Sequence, residues 1–259
     1  MFGKNVPWFA TSATLPLQQR DVVLESLNMP PDTLTIDEDL GRDNLYYNVQ
    51  PLGIGIKYVD GPSPVDHLID LCYDDPNNIP KTLVYFDSIR TLQNLAKHLR
   101  SLFPEEFSST TREKLVQVYF SSRPKLGKCR TFEAFKRGEC RIVLATEAFG
   151  MGMDVSNITR IYNWGIPRSL ASMIQRFGRG ARDQLLVAIC TLLLPTFACN
   201  IAIREGSIGT PSSQFSSRQN RWSSHTPETP SAGNIRIKTQ IRVLHCITYI
   251  TIQIIKQPN

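Results

Sequence analysis

The sequence lacks closely spaced cysteine pairs and any recognisable export signal. Its six cysteines are scattered, and no two of them form a C-x-x-C pair. Structural zinc modules are usually built on such pairs, so this spacing argues against a zinc site. No secretory signal follows Met1. We therefore expect reduced thiols in an intracellular protein.

The sequence also lacks a strong excess of one charge. It has 29 basic and 23 acidic residues, which leaves a formal net charge of +6. This surplus suits contact with phosphate groups, but ordinary soluble domains carry similar charge. Hydrophobic residues make up 41% of the chain. That content is enough for at least one core and excludes a chain that is disordered throughout.

Only one long apolar run is present, at Leu185–Ile203. Its length raises the possibility of a membrane span. Pro195 and Asn200 interrupt the run, however, and its first part, Leu185–Leu194, fits a buried strand equally well. We favour the strand and expect no membrane contact. A membrane-anchored fragment stays open as an alternative.

Short β-rich runs alternate with helix-like segments between Leu15 and Asp183. This order predicts an α/β domain with a parallel sheet covered by helices on both faces. The predicted strands are Leu45–Val49, Thr82–Phe86, Leu115–Phe120, Arg141–Thr146, Ile158–Trp164 and Leu185–Leu194. The predicted helices are Leu17–Leu27, Pro64–Cys72, Arg90–Leu102 with Ser88 as its cap, Arg130–Phe135 and Ser169–Phe177.

The composition changes after Asp183. Gly206–Asn234 is rich in Ser, Thr, Pro, Gly and Gln and has few apolar residues, so it cannot form a packed core. The following run, Ile235–Ile255, is rich in isoleucine and has a partial alternation that is compatible with strands. We therefore predict a poorly ordered C-terminal tail.

The segment Gln175–Asp183 reads Q-R-F-G-R-G-A-R-D. Arg179 and Arg182 lie three residues apart, so on a helical turn they would point the same way. A planar guanidinium can bind two oxygens of a phosphoryl group at once, which suits the charge of a phosphoryl group in transfer. The plainer interpretation is an exposed basic helix end. Gln175, Gly178 and Asp183 in the same pattern favour phosphate binding.

The segment Ile142–Asp154 reads I-V-L-A-T-E-A-F-G-M-G-M-D. A buried strand is predicted to end at Thr146, and the glycines beyond it, Gly150 and Gly152, permit a tight loop whose backbone can approach a phosphate or a ribose. Asp154 would then be either an acceptor near the ribose or a group that orients the two arginines. An ordinary strand-to-loop turn is the alternative.

These two segments resemble motifs VI and V of the RecQ-like, superfamily 2 DNA helicases. In the same order, Thr11–Thr14 resembles motif III and Leu83–Ser88 resembles motif IV. Asn44 is placed like the Asn of the Arg-Pro-Asn element that opens the second lobe, and Ile89 stands where the family usually has Arg. The resemblance extends from about Trp8 to Asp183. It implies a RecA-like second helicase lobe.

The resemblance also implies a role for each site residue. Arg179 and Arg182 would be arginine fingers on ATP. Gln175, Asp154, Gly152 and Gly178 would line the nucleotide cleft. Thr146, Ser88, Arg90 and Thr14 would contact nucleic acid. The activity implied is ATP-driven, 3′-to-5′ DNA unwinding with ATP and Mg²⁺ as cofactors, a single-stranded or forked DNA partner, and a nuclear location in a eukaryote.

Two parts of such a motor are missing from these 259 residues. There is no G-x-x-x-x-G-K-[ST] loop, and the acidic run Asp37–Asp39 follows motif III, whereas the family's magnesium motif precedes it. We therefore expect a remnant of lobe one and a link at 1–40, a RecA-like lobe at 41–205, a linker at 206–234 and a tail at 235–259. Such a chain would be inactive unless another polypeptide supplied lobe one. A non-catalytic nucleic-acid-binding module is the alternative.

Overall fold

The computed structural model describes residues 9–12, 15, 17–30, 32–36, 42–52, 63–72, 75–150, 153–196 and 198–199. The chain divides into two compact units, Met1–Arg42 and Asp43–Asn259. The first unit contains helix α1, Leu17–Ser26, as the sequence predicts. The tail and linker predicted at 206–259 lie outside the described residues.

The second unit contains one sheet of six strands, all paired in parallel. The strand order across the sheet is β1-β6-β5-β2-β4-β3. The strands are β1 (Leu45–Pro51), β2 (Thr82–Tyr85), β3 (Val116–Tyr119), β4 (Ile142–Ala145), β5 (Arg160–Trp164) and β6 (Ala188–Leu194). Each of the six predicted strands is confirmed, with bounds that differ by a few residues.

Two of the apolar runs become fully buried interior strands. Every residue of β2 and of β4 is buried, which explains why these strands read as continuous apolar sequence and show no alternation. The apolar run at Leu185–Leu194 forms β6, between β1 and β5, so the strand interpretation is confirmed. Within the described ranges, no helix is long and apolar enough to cross a membrane.

Helices lie in the connections of the second unit, except in the described part of the connection between β4 and β5. They are α2 (His67–Asp70), a 3₁₀ turn (Pro76–Asn78), α3 (Ile89–Ser101), α4 (Ser109–Leu115), α5 (Lys125–Arg137) and α6 (Leu170–Phe177). The hydroxyl of Ser88 accepts a hydrogen bond from the Thr91 amide at 3.3 Å, so the predicted cap of α3 is confirmed. Helix α4 was not predicted, because Leu115 is its only apolar residue.

The core has two parts, because neighbouring residues of a strand point to opposite faces. Leu83 and Tyr85 belong to one apolar cluster, together with residues of α5 and α6. Val84 and Phe86 belong to the other, together with residues of α2 and α3. Helices therefore cover both faces of the sheet, and the carboxyl ends of β2, β4 and β5 lie side by side at one edge.

Candidate functional site

The two arginines predicted to bind phosphate converge on one carbonyl group. Arg179 Nη1 and Arg182 Nη1 each donate to the main-chain oxygen of Met153, both at 3.3 Å. Arg182 Nη1 also donates to Asp154 Oδ1 at 2.8 Å. The turn after α6 therefore contacts the loop after β4. Residues that are 26 and 29 positions apart in sequence meet at this point.

The ion pair between Arg182 and Asp154 is solvent-exposed. The Asp154 side chain is 80% exposed and that of Arg182 is 33% exposed. A pair of this kind contributes at most about 1 kcal/mol, because water screens it. The geometry matches the orienting role that the sequence left open for Asp154, and the weak pair leaves the Arg182 guanidinium available to a more highly charged acceptor.

Helix α6 brings Gln175 and Gly178 to the same place. Gly178 ends the helix, and its amide donates to the Ile174 carbonyl at 2.7 Å. Gln175 lines a concave pocket beside the arginine pair, whose lining residues are Tyr85, Glu147, Gly150, Gln175, Arg176 and Arg179. A Cβ atom on Gly150 would lie 3.1 Å from the Glu147 carbonyl oxygen. The absent side chain therefore permits the tight turn between Glu147 and Gly150.

Arg176 is the functional candidate that the sequence did not reveal. Its side chain is only 1% exposed. Nε donates to Glu147 Oε1 at 2.7 Å, Nη2 donates to Asp87 Oδ1 at 2.7 Å, and Nη1 donates to Asn163 Oδ1. The three acceptors come from the segments of β4, β2 and β5. Within Q-x-x-G-R-x-x-R this arginine occupies a variable position, so no motif pointed to it.

Tyr85 supports both the buried arginine and the loop after β4. The Arg176 guanidinium lies over the Tyr85 ring, 5.4 Å from its centroid. The Tyr85 hydroxyl donates to the Phe149 carbonyl at 2.7 Å. Burial raises the pKa of Tyr85, because the phenolate would lose its hydration. The hydroxyl thus stays protonated and holds the loop one residue before Gly150.

The residues predicted to contact nucleic acid lie at the carboxyl ends of neighbouring strands. Ser88 and Arg90 follow β2, and both are exposed. Thr146 follows β4, and its amide donates to the Tyr119 carbonyl at 3.0 Å. Since β2 and β4 are paired, the structure brings these three residues to one edge. Thr14 and Gly152 lie outside the described residues.

Asn44 ties the start of the second unit to the end of the arginine segment. Its side-chain amide donates to the carbonyl oxygens of Ala181 at 2.7 Å and Leu186 at 3.0 Å. Ala181 is fully buried and has a left-handed backbone, with φ of 39°. A Cβ atom on Gly180 would lie 2.8 Å from Ala188 Cβ. The turn that carries Arg182 is thus held against β6.

The site fits a phosphate group better than it fits a metal ion. Two guanidinium groups share one neutral acceptor at 3.3 Å, which leaves donor capacity for an anion. Among the described residues there is no group of three or more His, Cys, Asp or Glu side chains that could hold a metal. The donor set of Arg179 and Arg182 therefore suits an anion such as a phosphate group.

Comparison with known families and sequences finds helicases of several kinds. Residues 63–184 match the family model of the helicase conserved C-terminal domain. An uncharacterized ATP-dependent helicase of Methanocaldococcus jannaschii is 35% identical over 138 residues, which cover 52% of this chain and 19% of the relative. ATP-dependent DNA helicase Q-like 5 of Arabidopsis thaliana is 27% identical over 175 residues, which cover 67% of this chain and 17% of the relative. The ATP-dependent RNA helicase eIF4A of Eremothecium gossypii is 26% identical over 177 residues, which cover 66% of this chain and 39% of the relative.

Solved structures share the fold at lower identity. Saccharomyces cerevisiae Dbp5 bound to RNA and ADP BeF₃ is 14% identical, with a TM-score of 0.51 over 91% of this chain and 54% of that one. A Dbp5 variant with the same ligands is 16% identical, with a TM-score of 0.53 over 81% of this chain and 52% of that one. The chain spans well under half the length of each curated relative. Residues 63–184 of this chain are therefore similar to the helicase conserved C-terminal domain.

Proposed function

We propose that this chain supplies the second lobe of a RecQ-like, ATP-driven helicase that moves 3′-to-5′ along DNA. The observation that carries the proposal is the convergence of Arg179 and Arg182 on the Met153 carbonyl. Two guanidinium groups placed together at a strand-end loop suit the charge that a terminal phosphate develops as it is transferred. The proposal extends the resemblance of the arginine segment to motif VI.

In this proposal Arg179 exchanges a neutral acceptor for a charged one, and Arg182 adds a phosphate contact to its pair with Asp154. Hydrogen bonds to an ionised acceptor are roughly twice as strong as bonds between neutral groups. A phosphate that entered from a first lobe would therefore displace the Met153 carbonyl. Asp154 would orient Arg182, while Gln175, Gly152 and Gly178 shape the cleft. Bound ATP with Mg²⁺ would supply the phosphoryl group and the free energy of its hydrolysis.

Nucleic acid would cross the carboxyl ends of β2 and β4. Ser88, Arg90 and Thr146 would contact its backbone there, while a nucleic-acid contact of Thr14 rests only on the resemblance of Thr11–Thr14 to motif III. A single-stranded or forked DNA partner inside the cell, in the nucleus of a eukaryote, follows from the RecQ resemblance. Binding of DNA and RNA oligonucleotides of equal length and equivalent sequence tests this point. Equal affinity for the two would contradict a DNA-specific function.

ATP turnover tests whether the chain can act alone. The sequence has no G-x-x-x-x-G-K-[ST] loop, so we expect no turnover from the purified chain with or without single-stranded DNA. Turnover would require a first lobe that carries such a loop. The Arg182→Ala variant is measured beside the wild type. Turnover that depends on both DNA and Arg182 would mean that this chain holds a second grip on the nucleotide.

The second candidate is a non-catalytic nucleic-acid-binding module. It is favoured by the exposure of Ser88 and Arg90 in a chain whose sequence lacks the phosphate loop. Such a module would bind single-stranded DNA with an affinity that falls steeply with salt, because bound cations are released. Adding a first-lobe polypeptide and ATP separates the two candidates. Restored turnover that is lost in Arg182→Ala supports the motor lobe, and unchanged binding without turnover supports the module.

A further inference from the structure

One buried arginine contacts the sequence neighbours of two residues that are proposed to touch nucleic acid. Arg176 donates to Asp87, which directly precedes Ser88, and to Glu147, which directly follows Thr146. It also lies three residues before Arg179 on the same segment. A single guanidinium group therefore joins the proposed nucleic-acid edge of the domain to the arginine pair.

The contacts of Arg176 need the shape of a guanidinium group. Its three acceptors, Glu147, Asp87 and Asn163, lie on the segments of three different strands. Nε and Nη2 contact Glu147, Nη2 also contacts Asp87, and Nη1 contacts Asn163. A lysine ammonium is a compact point charge on a flexible stem and cannot copy this fork. Because the Arg176 side chain is 1% exposed and Asn163 is fully buried, water does not replace a lost contact with Asn163.

Asp87 is the branch point toward the proposed nucleic-acid edge. Its Oδ1 atom accepts from Arg176 at 2.7 Å, and its Oδ2 atom lies 3.6 Å from Nε of Arg168, whose side chain is 77% exposed. Ser88, the next residue, caps α3. A movement of the start of α3 would therefore act on the Asp87 carboxylate and, through it, on Arg176.

We propose that Arg176 is a positioning residue that couples nucleic-acid contact at Ser88 and Thr146 to the placement of Arg179 and Arg182. This inference rests on the proposed function. Coupling of this kind is reciprocal, so a change at one end of the network must be visible at the other. A purely structural arginine would stabilise the domain without passing on a response to DNA.

The test measures how DNA changes the chemical reactivity of the arginine pair. Phenylglyoxal modification of Arg179 and Arg182 is followed by mass spectrometry in the intact chain, with and without a bound single-stranded DNA of roughly 20 nucleotides. Fluorescence anisotropy measures DNA binding separately. In the wild type we expect DNA to change the modification rate about fivefold, a typical size for coupling between two sites.

The variants interrupt the network in two ways. Asp87→Asn removes only the negative charge beside the start of α3, at a side chain that is 32% exposed. Arg176→Lys keeps the positive charge but loses the planar guanidinium group. In both variants we expect DNA to bind and the response of Arg179 and Arg182 to disappear. Arg137→Gln is the matched control, since it breaks the exposed ion pair with Glu139, and its response should equal that of the wild type.

Each outcome decides the inference. A wild type that binds DNA without any change in arginine reactivity overturns it. An equal change in wild type, Asp87→Asn and Arg176→Lys would show that DNA shields the arginines directly, and this also overturns it. Failure of the wild type to bind DNA would reject the proposed function along with the coupling, and anisotropy distinguishes that case. If Arg176→Lys does not fold, Asp87→Asn decides the question.

Discussion

Replacing Arg176 with methionine removes a buried positive charge and keeps most of the apolar length of the side chain. Asn163 is 0% exposed, and its Oδ1 atom would lose the donor that Arg176 provides. An unsatisfied buried acceptor costs about 1–3 kcal/mol. This cost applies in full, because no water reaches Asn163.

The two carboxylates contribute less to the cost. Their side chains are 32% exposed for Asp87 and 53% exposed for Glu147, so water compensates part of the lost attraction. Breaking a fully buried ion pair costs about 3–5 kcal/mol, and the partial exposure lowers that range. We therefore expect Arg176→Met to lower the free energy of unfolding by about 3 kcal/mol in total.

Urea denaturation measures this loss. Trp164 follows Asn163 directly and is 7% exposed, so its fluorescence reports on the affected end of β5. Arg137→Met is the control, because it breaks an ion pair whose two side chains are 56% and 58% exposed, and we expect its midpoint to match that of the wild type. A loss below about 1 kcal/mol for Arg176→Met would show that the three contacts do not stabilise the domain.

Three further predictions concern packing and titration. Gly180→Ala should cost about 1–3 kcal/mol in urea denaturation, since its Cβ would lie 2.8 Å from Ala188 Cβ, and unchanged stability would contradict this close approach. Burial lowers the pKa of His67, so as the pH falls below about 6.5 the unfolded chain takes up a proton before the folded chain does. The melting temperature should therefore decrease as the pH falls below this value. A melting temperature that stays constant between about pH 7 and 5 would contradict this. Burial raises the pKa of Cys140 to about 12, so iodoacetamide should modify exposed Cys129 first at pH 8, and equal rates would refute the buried thiol.

Much of the fold follows from local sequence patterns. Continuous apolar runs predicted the interior strands β2 and β4, because a strand covered on both faces has no polar side. Leucines spaced at three and four residues predicted α3, and Ser88 marked its start. Helix α4 escaped prediction, since its surface is almost wholly polar and its position depends on the strand that follows it.

The candidate site could be predicted only where a motif was present. The spacing of Arg179 and Arg182 indicated that they point the same way, and they do share the Met153 carbonyl as an acceptor. Whether Asp154 faces a ribose or an arginine was open in the sequence. The structure pairs it with Arg182 at 2.8 Å, which requires the loop after β4 to meet the turn after α6.

By itself, the sequence determined the order of the six strands along the chain and the identity of the arginine segment, because both depend on neighbours in the chain. The burial of Arg176 and its bonds to Asp87, Glu147 and Asn163 were decided only by the tertiary structure. These acceptors lie 89, 29 and 13 residues away. They meet because parallel pairing places the carboxyl ends of β2, β4 and β5 at one edge of the sheet, and no local pattern records that arrangement.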